Sequence, residues 1–305
     1  MEHWGRLLES IRSDTTSGAA ELAKRAVEAL HQWLDEASSL SPADWRPAFF
    51  AFGDALVASQ PSMAPLFNLV NAVFLAVESA PMFGEVQQVR HTARAFQQEL
   101  EQSPRRLVRA ALPLLSADSQ VLTWSYSSTV LEVLRAAQAL GVRVTVFCTE
   151  SRPILEGRRL AQQLADAGIK VSFGIDAALS TFAPQASLAL VGADSITSVG
   201  VVNKVGTTTL ALAAREAHIP CFVIGGRQKC FPAAAPLPDF HPPRPIDEVW
   251  PDPPAGISIW NAYFECTPLT LFNGIVMEAG VLAPEELMRE LVNLPVAEVL
   301  RERRV

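Results

Sequence analysis

Residues 121–147 read VLTWSYSSTVLEVLRAAQALGVRVTVF. An apolar run from Val121 to Trp124 gives way to the polar residues Ser125 to Ser128. A helix-length stretch from Thr129 to Leu140 follows, then Gly141 and a second apolar run from Val142 to Phe147. Short apolar runs alternating with helical segments build βαβ units, and the resulting parallel sheet is buried on both faces. Gly141 stands where a helix ends in a left-handed residue.

The pattern continues downstream. Leu155 to Ala167 reads as a helix closed by Gly168, and Ile169 to Ile175, Leu188 to Val191 and Cys221 to Ile224 read as further strands. Pro232 to Pro254 holds nine of the 22 prolines, an irregular connection. A last strand is expected near Ile257 to Trp260, with helices over Leu271 to Glu278 and Glu285 to Leu291. Upstream the texture differs. Leu22, Ala23, Ala26, Val27, Leu30, Trp33 and Leu34 recur at three- and four-residue steps, the stripe of an amphipathic helix. Looser stripes span Pro47 to Ala58, Pro65 to Ser79 and Glu85 to Gln102, with Pro42, Pro61, Pro81 and Pro104 at the breaks. The chain therefore reads as α/β, with a helical domain over 1–115 and a parallel-sheet domain over 116–305 that carries the Pro-rich insertion 232–254.

Composition bounds the function. The 305 residues are 49% apolar and 19% charged, as in an ordinary globular protein. The 25 Lys and Arg against 32 Asp and Glu give a net charge of −7, which argues against a broad nucleic-acid footprint, so an anionic ligand must be small and held locally. No apolar run approaches the ~20 residues of a membrane helix. Met1-Glu2-His3-Trp4 lacks the basic-then-apolar pattern of a leader, so a cytoplasmic protein is expected. Cys148, Cys221, Cys230 and Cys266 have neither disulfide nor zinc spacing and read as reduced thiols. No metal or cofactor is implied.

In an open parallel sheet, ligands bind beyond the carboxyl ends of the strands, so the polar residues there are the site candidates. They are Ser125 to Ser128, Thr149 to Pro153 with Arg152, Asp176, Asp194, and Gly225 to Gln228. The densest stretch runs from Val191 through Asp194 to Asn203, Lys204, Gly206 and Thr207. Lys204 supplies a cation, and Gly206 with Thr207 to Thr209 opens a helix whose N–H groups can meet a phosphate; Thr207 could equally be an ordinary N-cap and Lys204 a solvated charge. Asp194 is either a partly buried carboxylate of raised pKa, suited to proton transfer, or a cap for the next turn. Arg152 offers a fork for an anion that Glu150 could neutralise.

The stretch 149–157 (TESRPILEG), the VGAD at 191–194, the NKVGT at 203–207 and the NAYFECTP at 261–268 together resemble one family. It comprises the alpha, beta and delta regulatory subunits of translation initiation factor 2B, with ribose-1,5-bisphosphate isomerase and methylthioribose-1-phosphate isomerase. The resemblance implies a helical domain before a Rossmann-like one, and assembly into dimers or larger. It also implies that Asp194 takes the place of the isomerases' acid/base aspartate and that Asn203 and Lys204 take the place of a ligand-contacting pair. Where the isomerases carry a catalytic cysteine, this chain has Ser125. Their arginine-glycine-alanine turn is Ser17-Gly18-Ala19-Ala20 here, their arginine-proline is Gln60-Pro61, and a glutamine is replaced by Glu156. A serine hydroxyl cannot exchange protons at neutral pH without a dedicated base, and losing one acid/base partner costs ~10²- to 10⁴-fold in rate. The expected function is therefore an assembly-forming protein that binds a phosphorylated sugar or nucleotide with weak or no isomerase activity, alone or beside other subunits of the initiation-factor type. The alternative is an aldose-ketose isomerase acting on a ribose phosphate. Tyr263, Phe264, Leu271, Phe272, Ile275, Val276 and Met277 are expected to offer the surface for a homodimer.

Overall fold

The structure is a computed structural model that describes residues 3–80 and 84–301, so Met1, Glu2 and the break expected at Pro81 lie outside the described residues. Five helices come first: α1 (His3–Arg12), α2 (Ala19–Glu36), α3 (Pro42–Ser59), α4 (Ala64–Glu78) and α5 (Glu85–Ala111). The apolar stripe of α2 is buried along its whole length. Ser41 caps α3, its hydroxyl accepting the Asp44 N–H, and Pro42 fills the first turn, where a missing N–H costs nothing. Pro104 does not end α5, as expected from sequence, but lies inside it. The lost backbone bond is offset by packing, because Leu100, Leu107 and Ala111 bury against the rest of the fold.

From residue 119 strands and helices alternate: β1 (Ser119–Thr123), α6 (Ser128–Ala139), β2 (Val144–Thr149), α7 (Glu156–Asp166), β3 (Lys170–Gly174), α8 (Leu179–Phe182) and β4 (Leu188–Val191). Next come β5 (Ser195–Ile196), β6 (Val201–Lys204), α9 (Thr207–Glu216), β7 (Cys221–Ile224) and β8 (Phe264–Thr267). The described chain closes with β9 (Gly274–Met277), β10 (Gly280–Leu282), α10 (Pro284–Val292) and α11 (Glu298–Arg301). Seven strands form one sheet in the order β10-β9-β7-β4-β1-β2-β3, parallel except for β10. Consecutive residues of β1 enter different cores. Val121 packs with Leu134 and Val146 on one face, and Leu122 with Val191 and Leu210 on the other, the period of two that a doubly covered sheet imposes. Gly141 and Gly168 adopt φ of +81° and +75° at the ends of their helices, as the sequence predicts.

Three features differ from the sequence reading. Residues 257–260 form no strand, and Ile257 and Trp260 are exposed. Leu271 to Glu278 is not a helix: its centre is β9, parallel to β7, with Ile275 and Val276 fully buried. A short apolar run has the same pattern in a buried strand as in a buried helix. Tyr263, Phe264, Phe272 and Met277 are buried as well, so these residues build the interior and not the association surface expected of them. Finally, β5, β6 and β8 make a small antiparallel sheet that strand-length patterning did not reveal, because β5 has only two residues.

The helical layer shares its core with the small antiparallel sheet and the loops beside it, while the seven-stranded sheet packs into two further clusters. Leu30, Phe49, Phe67 and Phe74 cluster with Val202, Phe231, Tyr263 and Val296. The Phe67 ring lies 4.4 Å from that of Phe231, joining α4 to the loop after β7. None of the helices among the described residues is long and apolar enough to cross a membrane. Phe67→Ala is expected to lower unfolding free energy by about 3–5 kcal/mol. Because this core joins the helical layer to the small sheet, far-ultraviolet and tryptophan signals in denaturant should still move together; two separated transitions would refute the shared core.

Candidate functional site

The carboxyl ends of β1 and β4 face the start of α2, and between them opens a cleft of about 340 Å³. Asp194 lies at its floor, two residues beyond Gly192. Gly192 cannot be replaced without a shift, since a Cβ there would sit 2.6 Å from the Ser127 hydroxyl. The close approach brings the Asp194 turn against the start of α6, where Ser127 caps the helix by accepting the Val130 N–H at 3.3 Å. The Asp194 N–H donates to the Val202 carbonyl at 2.8 Å, fixing the turn on β6. The backbone N–H of Ala19, one of the donors that the first turn of α2 leaves free, lies near enough to its carboxylate to favour the charged form.

Burial pushes the Asp194 carboxyl up. Lys229, Lys204 and the Ala19 N–H oppose that rise, while Glu156 reinforces it. Lys229 faces Asp194 and moves the opposite way: burial lowers its pKa and the Asp194 charge resists. Burial thus disfavours the charged form of both groups, the condition under which a carboxyl or an amine can serve as acid or base. The walls add two more cations, Lys24 and Arg159, besides Tyr126, whose ring the Arg159 guanidinium covers at 4.1 Å. Cations and helix N-termini on one wall can hold an anion.

Of the residues expected from sequence, Asp194, Asn203, Ser17 and Gly18 line this cleft. The Asn203 amide donates to the Thr207 hydroxyl at 3.0 Å. Ser125, Glu156 and Lys204 instead form a buried network beside it. The Lys204 ammonium lies 2.8 Å from Glu156 Oε1, and the Ser125 hydroxyl donates to the same oxygen at 2.8 Å. Lys204 also sits over the rings of Tyr263 and Phe264, at 4.8 and 5.6 Å, so it is not the solvated charge of the plainer sequence reading. The Arg152 guanidinium is turned away and donates to the carbonyls of Glu248 and Val249, while Asp176 accepts the N–H groups of Ser151 and Arg152.

The N-terminus of α9, expected to be open to a phosphate, is occupied. Gly206 is its N-cap at φ +104°, where a Cβ would strike Trp124, and the Glu265 carboxylate accepts the N–H groups of Gly206 at 3.0 Å and Thr208 at 2.6 Å. An internal carboxylate has taken the place of an external anion. Thr207 is not the cap; its hydroxyl donates to the Lys204 carbonyl.

Sequence reading missed Lys229, Lys24 and Arg159. Lys229 directly follows the rim residues Gly225 to Gln228, and the signal was its position one residue further on. Lys24 and Arg159 lie within helices, and only the docking of α2 and α7 brings them to the rim. All four cysteines are free and none lines the cleft. Burial raises the Cys148, Cys221 and Cys230 thiols to about 12 and the Cys266 thiol to a lesser extent.

The lip that carries Ser17 and Gly18 is clamped from behind. The buried Gln60 amide donates to the carbonyls of Ile11 and Asp14 at 2.8 and 2.9 Å. Burial would raise the Asp14 pKa, but the N–H groups of Ser17 and Thr16 and the Arg25 guanidinium outweigh it and hold the carboxyl at about 2.

A mainly parallel sheet with a helical layer over its carboxyl edge, and a polar cleft between the two, defines a class of α/β ligand-binding proteins and enzymes. Within that class, the chain belongs to the Initiation factor 2 subunit family, whose model matches residues 15–284. It is 32% identical over 287 residues to a putative translation initiation factor eIF-2B subunit 2-like protein of Pyrococcus furiosus, covering 92% of this chain and 96% of that one. It is also 32% identical over 290 residues to the ribose 1,5-bisphosphate isomerase of Archaeoglobus fulgidus, covering 93% and 91%. The solved translation initiation factor eIF-2B of Pyrococcus horikoshii superposes with a TM-score of 0.80 at 32% identity, over 95% of this chain and 99% of that one.

Asp14 ionises more readily folded than unfolded, so it stabilises the fold above pH 3.8 and loses that contribution as pH falls toward 2. Asp14→Asn should cost about 1–2 kcal/mol at pH 7 after allowance for solvent screening, and nothing near the low end. Denaturant titrations at both pH values check it; an equal cost at both would show that the clamp is not electrostatic.

Proposed function

We propose that the Asp194 cleft binds a small phosphorylated sugar or nucleotide and that the protein works as an assembling, ligand-binding member of its family with little or no isomerase turnover. The single observation that carries this reading is a cleft rich in cations but without a thiol. Lys24, Arg159, Lys229 and the free end of α2 surround Asp194, while the Ser125 hydroxyl at the end of β1 is engaged by Glu156. The ligand class is supported by the relative named ribose 1,5-bisphosphate isomerase, and the assembling role by the relatives named for an initiation factor.

A second reading, turnover of an aldose phosphate to its ketose, is favoured by the opposed pKa shifts of Asp194 and Lys229, which suit a proton-transfer pair. Assay of the purified protein with ribose 1,5-bisphosphate separates the two. Turnover at the ordinary enzymic 1 to about 10³ s⁻¹, abolished in Asp194→Asn, selects the isomerase; its absence with intact binding selects the first reading.

Self-association, as part of this proposal, is supported by exposed apolar side chains in the Pro-rich connection and just after it, Trp250, Ile257 and Trp260. Two outcomes are expected. Lys229→Ala should weaken calorimetric binding of ribose 5-phosphate by about 10-fold or more, the effect of one lost charge-assisted hydrogen bond, and unchanged affinity would remove Lys229 from the site. Light scattering at micromolar concentration should give at least a dimer mass that Trp260→Asp reduces; a wild-type monomer would refute the assembly.

A further inference from the structure

We propose that the cleft accepts one phosphate and discriminates against a second, so that its ligand is a monophosphate rather than a bisphosphate. The inference rests on the anion-binding reading above and adds the class of ligand. A phosphate monoester carries about −1.5 to −2 charges at pH 7, so each one needs roughly two cations that are not already paired. Lys24 lies 3.6 Å from Glu21, another wall residue, and Glu132 on the same wall is paired to Arg135 at 3.0 Å. Arg159 and Lys229 are left to face an incoming anion, Lys229 with Asp194 opposite. They match one phosphate.

The cation that could serve a second is Lys204, the neighbour of the wall residue Asn203 on β6. It is closed off. Its side chain is 6% exposed and that of Glu156 12%, and their 2.8 Å contact cancels both charges. The Ser125 hydroxyl, the other nearby donor, points to the same carboxylate oxygen. The remaining oxygen, Glu156 Oε2, is buried without a hydrogen-bond partner. Negative charge is therefore held just behind this side of the cleft without a donor to quench it, which disfavours a second phosphate there. One carboxylate thus silences a lysine and a serine together and sets how many phosphates the site takes.

The test is calorimetric titration of the full chain with ribose 5-phosphate and with ribose 1,5-bisphosphate, read as the ratio of the two affinities. In the wild type the bisphosphate should bind at least threefold more weakly than ribose 5-phosphate. Glu156→Gln, which keeps the shape and removes the charge that neutralises Lys204, should shift the ratio toward the bisphosphate by tenfold or more. Equal or tighter wild-type binding of the bisphosphate, or an unchanged ratio in the folded variant, overturns the proposal. If Glu156→Gln fails to fold because Lys204 is left unpaired, the wild-type ratio alone decides. Absence of binding by both ligands overturns the anion-binding reading itself, and the selectivity falls with it.

Discussion

The start of α2 at Ala19 and the Asp194 carboxylate after β4 face each other across one cleft, and their electrostatic attraction joins the two layers of the molecule at the point where a ligand would enter. The carboxylate faces a helix start that leaves its first N–H groups without partners in the helix, at the end of an 18-residue helix whose dipole favours a negative charge there. The contact needs a recessed carboxylate, which needs the sharp turn after β4, which in turn needs Gly192 against Ser127. It also needs the lip at 14–18 to stay in place, and that is the work of Gln60 and Asp14. Apolar packing of Phe67 on Phe231 brings the layers into contact, but only the polar contact fixes which residues line the opening.

Carboxylates inside the protein settle where an external anion can bind. Glu265 fills the N-terminus of α9, Glu156 neutralises Lys204, and Asp176 satisfies the loop after β2. Each is a hydrogen-bonded internal anion at a place where the fold concentrates N–H groups or a cation. A buried pair such as Lys204 and Glu156 adds little net stability, but removing one partner is costly, about 3–5 kcal/mol, because the other charge remains buried. Such pairs hold an arrangement in place more than they strengthen it. What stays open is the end of α2 with Lys229 and Arg159, and this is why the cleft lies there and not over α9.

The sheet was legible because β1, β2, β4 and β7 are short apolar runs punctuated by glycines and helices, a pattern that parallel burial imposes. β9 was not, since Ile275-Val276-Met277 carries no period and its neighbours in space, Phe222 to Ile224, lie some fifty residues upstream in the chain. In the site, Asp194, Asn203, Ser17 and Gly18 could be named because strand ends and motif resemblance mark positions along the chain. The partners of a charge are not marked in this way. That Lys204 faces Glu156, and that α9 receives Glu265, are consequences of docking between elements more than forty residues apart.

The same distinction bears on the chemistry. The family resemblance implies a hydroxyl, Ser125, in place of a thiol, but that alone leaves open whether another group takes over the proton. The geometry narrows the choice. A carboxyl pushed up and an amine pushed down by burial, Asp194 and Lys229, line one cleft. An isomerase of this kind must move a proton between adjacent carbons and also exchange one at the sugar oxygens, which asks for two separately placed groups. The charge of Asp194 favours the charged form of Lys229 and the reverse, so the pair holds a cation ready for an anionic ligand more than it holds a proton ready for transfer. That coupling is the physical reason for placing ligand capture ahead of turnover.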